Sequence, residues 1–178
     1  MPTNELTEVR PARPDEYEIV ADLCVAAYGQ SGQLRADDPY EAVLRDAEGR
    51  ARDARLLVAV RDERVVGTVT ICPTPSPFSE ISVEGESEFR FLAVAPEAWR
   101  SGVGESLVAA CEDWARDNGR RQQVICVKTD NASAHRMYAR LGFTRIPDRD
   151  WTPQPDVHLQ AYARPVPWQQ PPPTAETP

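Results

Sequence analysis

A glycine-bearing turn, Arg100-Ser101-Gly102-Val103-Gly104, carries the residues best suited to chemistry in this chain. It follows the apolar run 89–94 and opens the amphipathic stretch 103–114, an order that predicts a strand, a tight turn and a helix. A helix start exposes several unpaired N–H groups and the positive end of the helix dipole, and glycine lets the backbone approach an anion closely. The turn is therefore predicted to bind a phosphate group, although glycines that merely allow a helix to pack on a strand would give the same pattern.

Two well-known phosphate-binding patterns do not fit this turn. A P-loop requires Gly-Lys-Ser/Thr, whereas the chain has Gly104-Glu105-Ser106. A dinucleotide fingerprint requires a third glycine where Leu107 stands, and an earlier position in the chain. Neither pattern therefore identifies the phosphate.

Two longer segments resemble the signatures of the GNAT superfamily of N-acetyltransferases. Val94-Ala95-Pro96-Glu97-Ala98-Trp99-Arg100-Ser101-Gly102-Val103-Gly104 is similar to its acyl-CoA pyrophosphate loop, V-x-P-x-x-(Q/R)-x-x-G-x-(G/A). Asn131-Ala132-Ser133-Ala134-His135-Arg136-Met137-Tyr138-Ala139-Arg140-Leu141-Gly142-Phe143 is similar to the second signature, N-x-x-A-x-x-x-Y-x-x-L-G-F. The order of elements also matches, so the resemblance covers residues 5–164. Trp99 departs from the loop's Gln or Arg, so Arg100 is expected to reach the pyrophosphate or the adenosine 3′-phosphate instead.

The resemblance implies that acetyl-CoA is the co-substrate and that no metal is needed. The strand backbone at residues 92–94 is expected to form hydrogen bonds with the pantetheine arm. The N–H groups of residues 101–104 are expected to bind the pyrophosphate. Asn131 matches the residue that hydrogen-bonds the pantetheine amide, and it is also a natural helix N-cap. The predicted cofactor-binding residues are Leu92, Ala93, Val94, Arg100, Ser101, Gly102, Val103, Gly104, Asn131 and Ala134.

Glu88 is the predicted general base. Strict alternation along the strand puts Glu88 on one face with Arg90, Leu92 and Val94, about 20 Å from Val94 at ~3.3 Å per residue. This position matches the one at which several members of the superfamily carry a general-base glutamate. A solvated or Arg90-paired Glu88 is the alternative, and the other carboxylates of the same acidic run stay open as rivals: Glu80, Glu84 and Glu86.

Tyr138 matches the superfamily's tyrosine beside the sulfur, which acts as a general acid toward the departing thiolate. The alternative is a buried tyrosine on the apolar face of its helix. His135 is expected to face solvent or the adenine rather than to take part in catalysis.

The implied function is N-acetylation of a primary amine by direct attack on acetyl-CoA in a ternary complex, through a tetrahedral intermediate and without a covalent enzyme intermediate. The alternative is a non-catalytic acyl-CoA-binding or sensing module of the same fold. Acceptor specificity is expected from residues 28–39, 72–86 and 148–156, whose aromatic and acidic side chains favour a partly apolar, cationic amine. Whether that amine belongs to a small molecule, a peptide or a protein stays open, as does the choice between monomer and homodimer.

Hydrophobic periodicity predicts the element order β-α-α-β-β-β-α-β-α-β-β. This is an α/β (α+β) fold with a mixed, mostly antiparallel twisted sheet of about seven strands flanked by about four helices. Residues 1–164 are predicted to form a single GNAT-like acetyltransferase domain. Residues 165–178 are rich in proline and are predicted to be a disordered tail, with a PxxP ligand as the alternative.

Composition limits the partners and the compartment. The net charge of −8 over 178 residues argues against non-specific nucleic-acid binding. The chain lacks an apolar run near the ~20 residues of a membrane helix and a signal-peptide pattern, so a cytoplasmic protein without membrane contact is expected. Lys128 is the single lysine against 19 arginines. Buried, reduced thiols are expected for Cys24, Cys72, Cys111 and Cys126.

Overall fold

The computed structural model describes residues 6–167, which form one eight-stranded sheet flanked by five α-helices. The helices are α1 (Tyr17–Gln30), α2 (Tyr40–Arg45), α3 (Ala47–Asp53), α4 (Val103–Asp117) and α5 (Ala132–Arg140). The strands are β1 (Glu8–Pro11), β2 (Arg55–Arg61), β3 (Arg64–Pro73), β4 (Glu86–Val94), β5 (Gln122–Lys128), β6 (Thr144–Arg145), β7 (Trp151–Gln154) and β8 (Val157–Pro165).

The sheet is open and mostly antiparallel, as predicted, with the order β1-β2-β3-β4-β5-β8-β6 and β7 paired with β8. Only β4 and β5 pair in parallel, over three residue pairs from Glu86↔Gln122 to Glu88↔Val124. Beyond Glu88, β4 continues to pair with β3 on one side, and β5 with β8 on the other. The two central strands therefore separate, and a gap opens in the middle of the sheet.

A bulge in β4 lies beside this gap. Thr70 faces Arg90 while Thr68 faces Ala93, so β4 carries one extra residue against β3. Phe91 has φ of +56°, a left-handed conformation that costs a non-glycine residue about 1–2 kcal/mol. Its ring is packed between two guanidinium groups, with Arg50 Cζ at 4.7 Å and Arg90 Cζ at 4.6 Å from the ring centroid. The predicted alternation from Glu88 to Val94 is therefore wrong, because the bulge changes which face the later residues occupy.

Two short elements go beyond the predicted order. The second helix of the predicted order is divided into α2 and α3 at Asp46, whose ψ of 60° leaves the helical region. Its carboxylate caps α3 by accepting from the Gly49 N–H at 2.9 Å. Residues 148–156, from which acceptor specificity is expected, contain the additional strand β7, which forms a hairpin with β8. The preceding strand, β6, has only two residues.

The core lies on both faces of the sheet and includes three of the four cysteines. Cys24, Cys72 and Cys111 are buried, Cys126 is half-buried, and all four are free thiols, as expected. Burial raises the pKa of Cys72 to about 12, so the thiol stays protonated and unreactive at neutral pH.

The end of the described chain belongs to the folded domain. Pro165 ends β8, and the buried Val166 donates its N–H to the Arg121 carbonyl at 3.0 Å. The ordered structure thus extends past the predicted boundary at 164, and residues 168–178 of the predicted tail lie outside the described residues. No helix within residues 6–167 is long and apolar enough to cross a membrane.

A carboxylate at the start of α1 makes stability depend on pH. Glu16 accepts two hydrogen bonds from Arg10, at 2.7 and 2.9 Å, and one from the Arg13 N–H at 2.7 Å. These bonds, the Arg10 contact foremost, lower the pKa of Glu16 to about 2. Because the pKa of Glu16 is lower in the folded protein than the unfolded-state value near 4.5, the ionised carboxylate stabilises the fold fully above that value. This stabilisation is lost as the pH falls through the folded-state pKa. Between pH 5 and pH 2, the free energy of unfolding measured in urea should fall by about 2 kcal/mol more in the parent than in the Glu16→Gln variant. Glu18→Gln, a change at an exposed site one position into the same helix, should leave the pH dependence unaltered.

Candidate active site

The gap between β4 and β5 opens into two cavities that meet. The inner cavity, of about 420 Å³, lies between β4, β5, α5 and the segment 33–40, while the outer groove, of about 710 Å³, runs along the starts of α4 and α5. Five residues line both and so mark the junction: Tyr28, Gln33, Leu92, Asn131 and Ala134. Both volumes fall in the range typical of small-molecule sites.

The glycine turn forms one end of the outer groove. Gly102, the N-cap of α4, has φ of +84°, and the first N–H groups of the helix have no carbonyl one turn earlier to accept them. A Cβ on Gly104 would lie 3.4 Å from Met137 Sδ and 3.8 Å from Val94 Cγ2. These are ordinary van der Waals distances, so a Cβ at this position would fit against Met137 and Val94 without a clash.

Two long side chains fasten the turn. Trp99 donates its indole N–H to the Val94 carbonyl at 2.8 Å, so it supplies a polar contact to the protein rather than to a ligand. Arg61 donates to the Ser101 hydroxyl at 2.9 Å and to the Ser101 carbonyl at 2.7 Å. Ser101, predicted to bind cofactor, does not line the groove; its hydroxyl and carbonyl serve to hold the turn.

Arginines surround the outer groove. The predicted Arg100 lines it, as do Arg136 and Arg140 of α5, which the sequence analysis missed. Arg140 pairs with Glu105, whereas Arg100 and Arg136 have no carboxylate within 4 Å in the described part of the chain. Arg136 and Arg140 are four residues apart on one face of α5, and this spacing is the sequence signal that could have identified them. Unpaired guanidinium groups beside a helix N-terminus suit phosphate ligands.

Helix α5 brings Asn131, Ala134 and Tyr138 to the cavities. Asn131 accepts the Ala134 N–H at 3.2 Å and caps the helix, as expected. The Tyr138 ring packs between Phe89 and Phe143, at centroid distances of 6.1 and 5.4 Å, and reaches the inner cavity. Burial raises the pKa of Tyr138 well above its usual value, so the hydroxyl holds its proton at neutral pH and can donate it.

His135 holds α5 against the sheet, so the expectation that it faces solvent or adenine is wrong. Its Nε2 lies 3.0 Å from the Lys128 carbonyl and its Nδ1 lies 2.7 Å from the Tyr162 hydroxyl. Because a carbonyl only accepts, Nε2 donates to Lys128, and Nδ1 shares a second hydrogen bond with the Tyr162 hydroxyl. The two contacts link α5 to the end of β5 and to an interior residue of β8.

Glu88 does not lie where the sequence analysis expected it. The residue is fully buried and does not line the inner cavity. Its Oε2 accepts three consecutive backbone N–H groups, from Glu80, Ile81 and Ser82, at 2.9, 3.0 and 3.1 Å. The carboxylate therefore organises the turn 80–82, and direct contact with a ligand in the cavity is blocked.

Glu80 is the carboxylate of the acidic run that faces the inner cavity. Its Oε1 lies 2.5 Å from Arg90 Nη2, and Arg90 also donates to the Phe78 carbonyl at 2.8 Å. Burial raises the pKa of Glu80, partly offset by the charge of Arg90. The remaining rivals lie off the cavity, since Glu84 is exposed and the buried Glu86 pairs with Arg149 at 2.7 Å.

The inner cavity has more acidic than basic groups. Its carboxylates are Asp37, Asp38, Glu80 and Asp156, and its cations are Arg35, Arg90 and Lys128. Arg35 pairs with Asp156 and Arg90 with Glu80, whereas Asp37 and Asp38 have no ion pair in the described part of the chain. Asp38 Oδ1 accepts the Tyr40 N–H at 2.9 Å. Within residues 6–167 no group of three His, Cys, Asp or Glu side chains could hold a metal ion.

Comparison with known proteins places these features in a family. The family model described as "Acetyltransferase (GNAT) family" matches residues 17–143. Aminoglycoside N(6′)-acetyltransferase type 1 of Stenotrophomonas maltophilia is 31% identical over 148 residues, which cover 76% of this chain and 84% of that protein. Mycothiol acetyltransferase of Thermomonospora curvata is 31% identical over 122 residues, covering 65% of this chain and 38% of that protein. The chain spans well under half the length of the mycothiol acetyltransferases that it matches.

Solved structures share the fold. An acetyltransferase of the GNAT family from Desulfovibrio desulfuricans superposes with a TM-score of 0.73 at 20% identity, covering 91% of this chain and all of that one. The PaiA N-acetyltransferase of Thermoplasma acidophilum, solved in complex with coenzyme A, has a TM-score of 0.68 at 14% identity, covering 88% of this chain and 98% of that one. At these identities the likeness concerns the fold.

Proposed function

The chain belongs to the GNAT acetyltransferase family, and we propose that it moves an acetyl group from acetyl-CoA to a primary amine by direct attack in a ternary complex. One observation carries the proposal: Tyr138, held protonated by its buried surroundings, lines the inner cavity one helical turn after the junction residue Ala134. A proton donor is needed there, because the thiolate leaves at the point where the thioester and the amine meet.

The outer groove suits acetyl-CoA. The N–H groups at the start of α4 and the unpaired guanidinium groups of Arg100 and Arg136 would hold its phosphates. Past Glu88, the edge of β4 that faces the gap has no strand partner among residues 6–167, so the backbone of Leu92 and Val94 offers hydrogen bonds to the amide-bearing pantetheine arm. Such an arm would carry the thioester through the junction into the inner cavity.

The inner cavity suits the chemistry of an amine. Glu80 takes a proton from the ammonium, the neutral nitrogen attacks the carbonyl carbon, and the C–S bond breaks as the thiolate receives the Tyr138 proton. The nitrogen then gives up its second proton to solvent, Glu80 releases its proton to solvent, and Tyr138 takes one proton back from solvent. Ammonium and thioester are thus converted into amide, thiol and one proton.

The acceptor is proposed to be a cationic small amine. The excess of carboxylates in the inner cavity favours a positive charge over an anionic or neutral acceptor. The Stenotrophomonas relative, named for aminoglycosides, is in keeping with a cationic acceptor.

An assay of free thiol release tests the proposal against the binding-module alternative. The chain is incubated with acetyl-CoA and a polyamine, an aminoglycoside, an amino acid or a lysine peptide, and its thermal shift with acetyl-CoA is measured in parallel. Thiol release with a cationic amine supports the proposal. A stabilising shift of about 2.7 kcal/mol at a hundredfold excess over Kd, without thiol release from any amine, favours the module.

Arg61 is predicted to determine acetyl-CoA affinity although it lies behind the groove. Arg61→Ala removes both contacts to Ser101 and loosens the turn, so the KM for acetyl-CoA should rise about fivefold, with little change in kcat. S-acetyl-pantetheine, which lacks the pyrophosphate, serves as the control donor and should be used equally well by the variant and the parent. A parallel loss with both donors would show that Arg61 acts on the fold rather than on phosphate binding.

A further inference from the structure

The single lysine of the chain lies inside the proposed acceptor site. Lys128 is the last residue of β5, is half-buried, and lines the inner cavity together with Tyr138. The other cations of this cavity are arginines, whose guanidinium groups stay protonated and do not attack a thioester. Lys128 is therefore the only side-chain amine that the chain could itself bring to the thioester.

Lys128 makes one hydrogen bond through its backbone and one through the end of its side chain. Its carbonyl accepts from His135 Nε2 at 3.0 Å, and its Nζ donates to the Gln33 carbonyl at 3.3 Å. Because Gln33 is one of the junction residues, the ammonium group lies beside the place where the two cavities meet. Over residues 6–167, no carboxylate lies within 4 Å of this Nζ, so one long hydrogen bond is all that restrains it there.

We propose that the protein acetylates its own Lys128 from acetyl-CoA when no other acceptor fills the inner cavity. The ammonium loses a proton to solvent at the open end of the cavity, the nitrogen attacks the thioester carbonyl carbon, and the C–S bond breaks. The thiolate takes the Tyr138 proton, and the second proton of the nitrogen replaces it. One lysyl ammonium and one acetyl-CoA thus give N-acetyl-lysine, CoA thiol and one proton.

Acetylation would change the site itself. It removes one of the three cations that offset the four carboxylates of the inner cavity, and it adds an acetyl group to the space beside the junction. The inference rests on the proposed acetyl transfer, since it uses the same groove and the same proton donor.

Intact mass spectrometry tests the inference on the full chain incubated with acetyl-CoA and no amine. We expect most molecules to gain one acetyl group, about 42 Da, which peptide mapping assigns to Lys128 rather than to the terminal amine. Lys128→Arg should abolish the gain, and Tyr138→Phe should slow it at least tenfold. Acetyl phosphate, which acetylates lysine without the enzyme, should modify Lys128 equally fast in the Tyr138→Phe variant and the parent, which shows that the lysine stays accessible.

The outcomes separate this inference from the proposed function. If an added amine is acetylated while Lys128 is not, the inference is wrong and the proposed function stands. If Lys128 gains its acetyl group as fast in Tyr138→Phe as in the parent, the reaction is uncatalysed and the inference is equally wrong. If neither reacts although acetyl-CoA stabilises the protein, both proposals fail together.

Discussion

Replacing Tyr138 by Phe is expected to lower kcat for acetyl transfer about a hundredfold and to leave the KM for acetyl-CoA within about threefold of the parent value. Phe keeps the ring between Phe89 and Phe143, where the centroids lie 6.1 and 5.4 Å away, so packing is preserved. Only the hydroxyl at the inner cavity is lost. The loss should therefore appear in the chemical step rather than in the binding of the acetyl donor.

The pH profile of kcat and a control variant, Tyr17→Phe, test whether the effect of Tyr138→Phe comes from the loss of a general acid. Burial raises the pKa of Tyr138, and a general acid acts only while protonated, so Tyr138 should cause no fall in kcat below about pH 10. Tyr17→Phe removes a hydroxyl from the start of α1, away from both cavities, and should leave kcat unchanged. An unaltered kcat in Tyr138→Phe would mean that the thiolate leaves without a protein acid, and our assignment would be wrong.

Local signals in the sequence were sufficient to locate the turn and the helix cap that border the outer groove. A helix N-terminus and an N-cap depend on a few consecutive residues, and so the turn at Gly102 and the cap at Asn131 lie where the sequence indicated. The helical spacing of α5 brings Ala134 and Tyr138 to the cavities for the same reason. Arg61, in contrast, is 40 residues from Ser101, and no local pattern indicates that contact.

The inner cavity was harder to predict because its geometry depends on one irregular residue. Alternation along a strand assumes a regular pleat, but the bulge at Phe91 inserts one residue and exchanges the faces beyond it. Arg50, which packs on the Phe91 ring, comes from α3 and leaves no trace in the pattern of β4. Glu80 lies in a turn whose N–H groups are bound by Glu88, a contact that strand alternation does not indicate.

Glu80 lines the inner cavity and pairs with Arg90, whereas Glu88 is buried against three backbone N–H groups, so substitutions of the two should have different effects. Glu80→Gln should lower kcat/KM about a hundredfold, since the carboxylate at the inner cavity can no longer accept the ammonium proton. Glu88→Gln should lower the free energy of unfolding by about 1–3 kcal/mol, because a charged acceptor of three N–H groups becomes neutral. Its effect on kcat/KM should stay below about fivefold, which steady-state kinetics and urea unfolding of both variants can measure.

The pH dependence of kcat/KM decides which carboxylate is the base. A base acts only when deprotonated, so kcat/KM should rise with pH through the pKa of Glu80 and then level off. Because burial raises that pKa, the rise should lie above the usual glutamate range near 4.5. Glu80→Gln should abolish the rise and Glu88→Gln should keep it. The reverse pattern would mean that Glu88 acts on the amine across the wall of the cavity, as strand alternation first suggested, and that Glu80 serves only to hold Arg90.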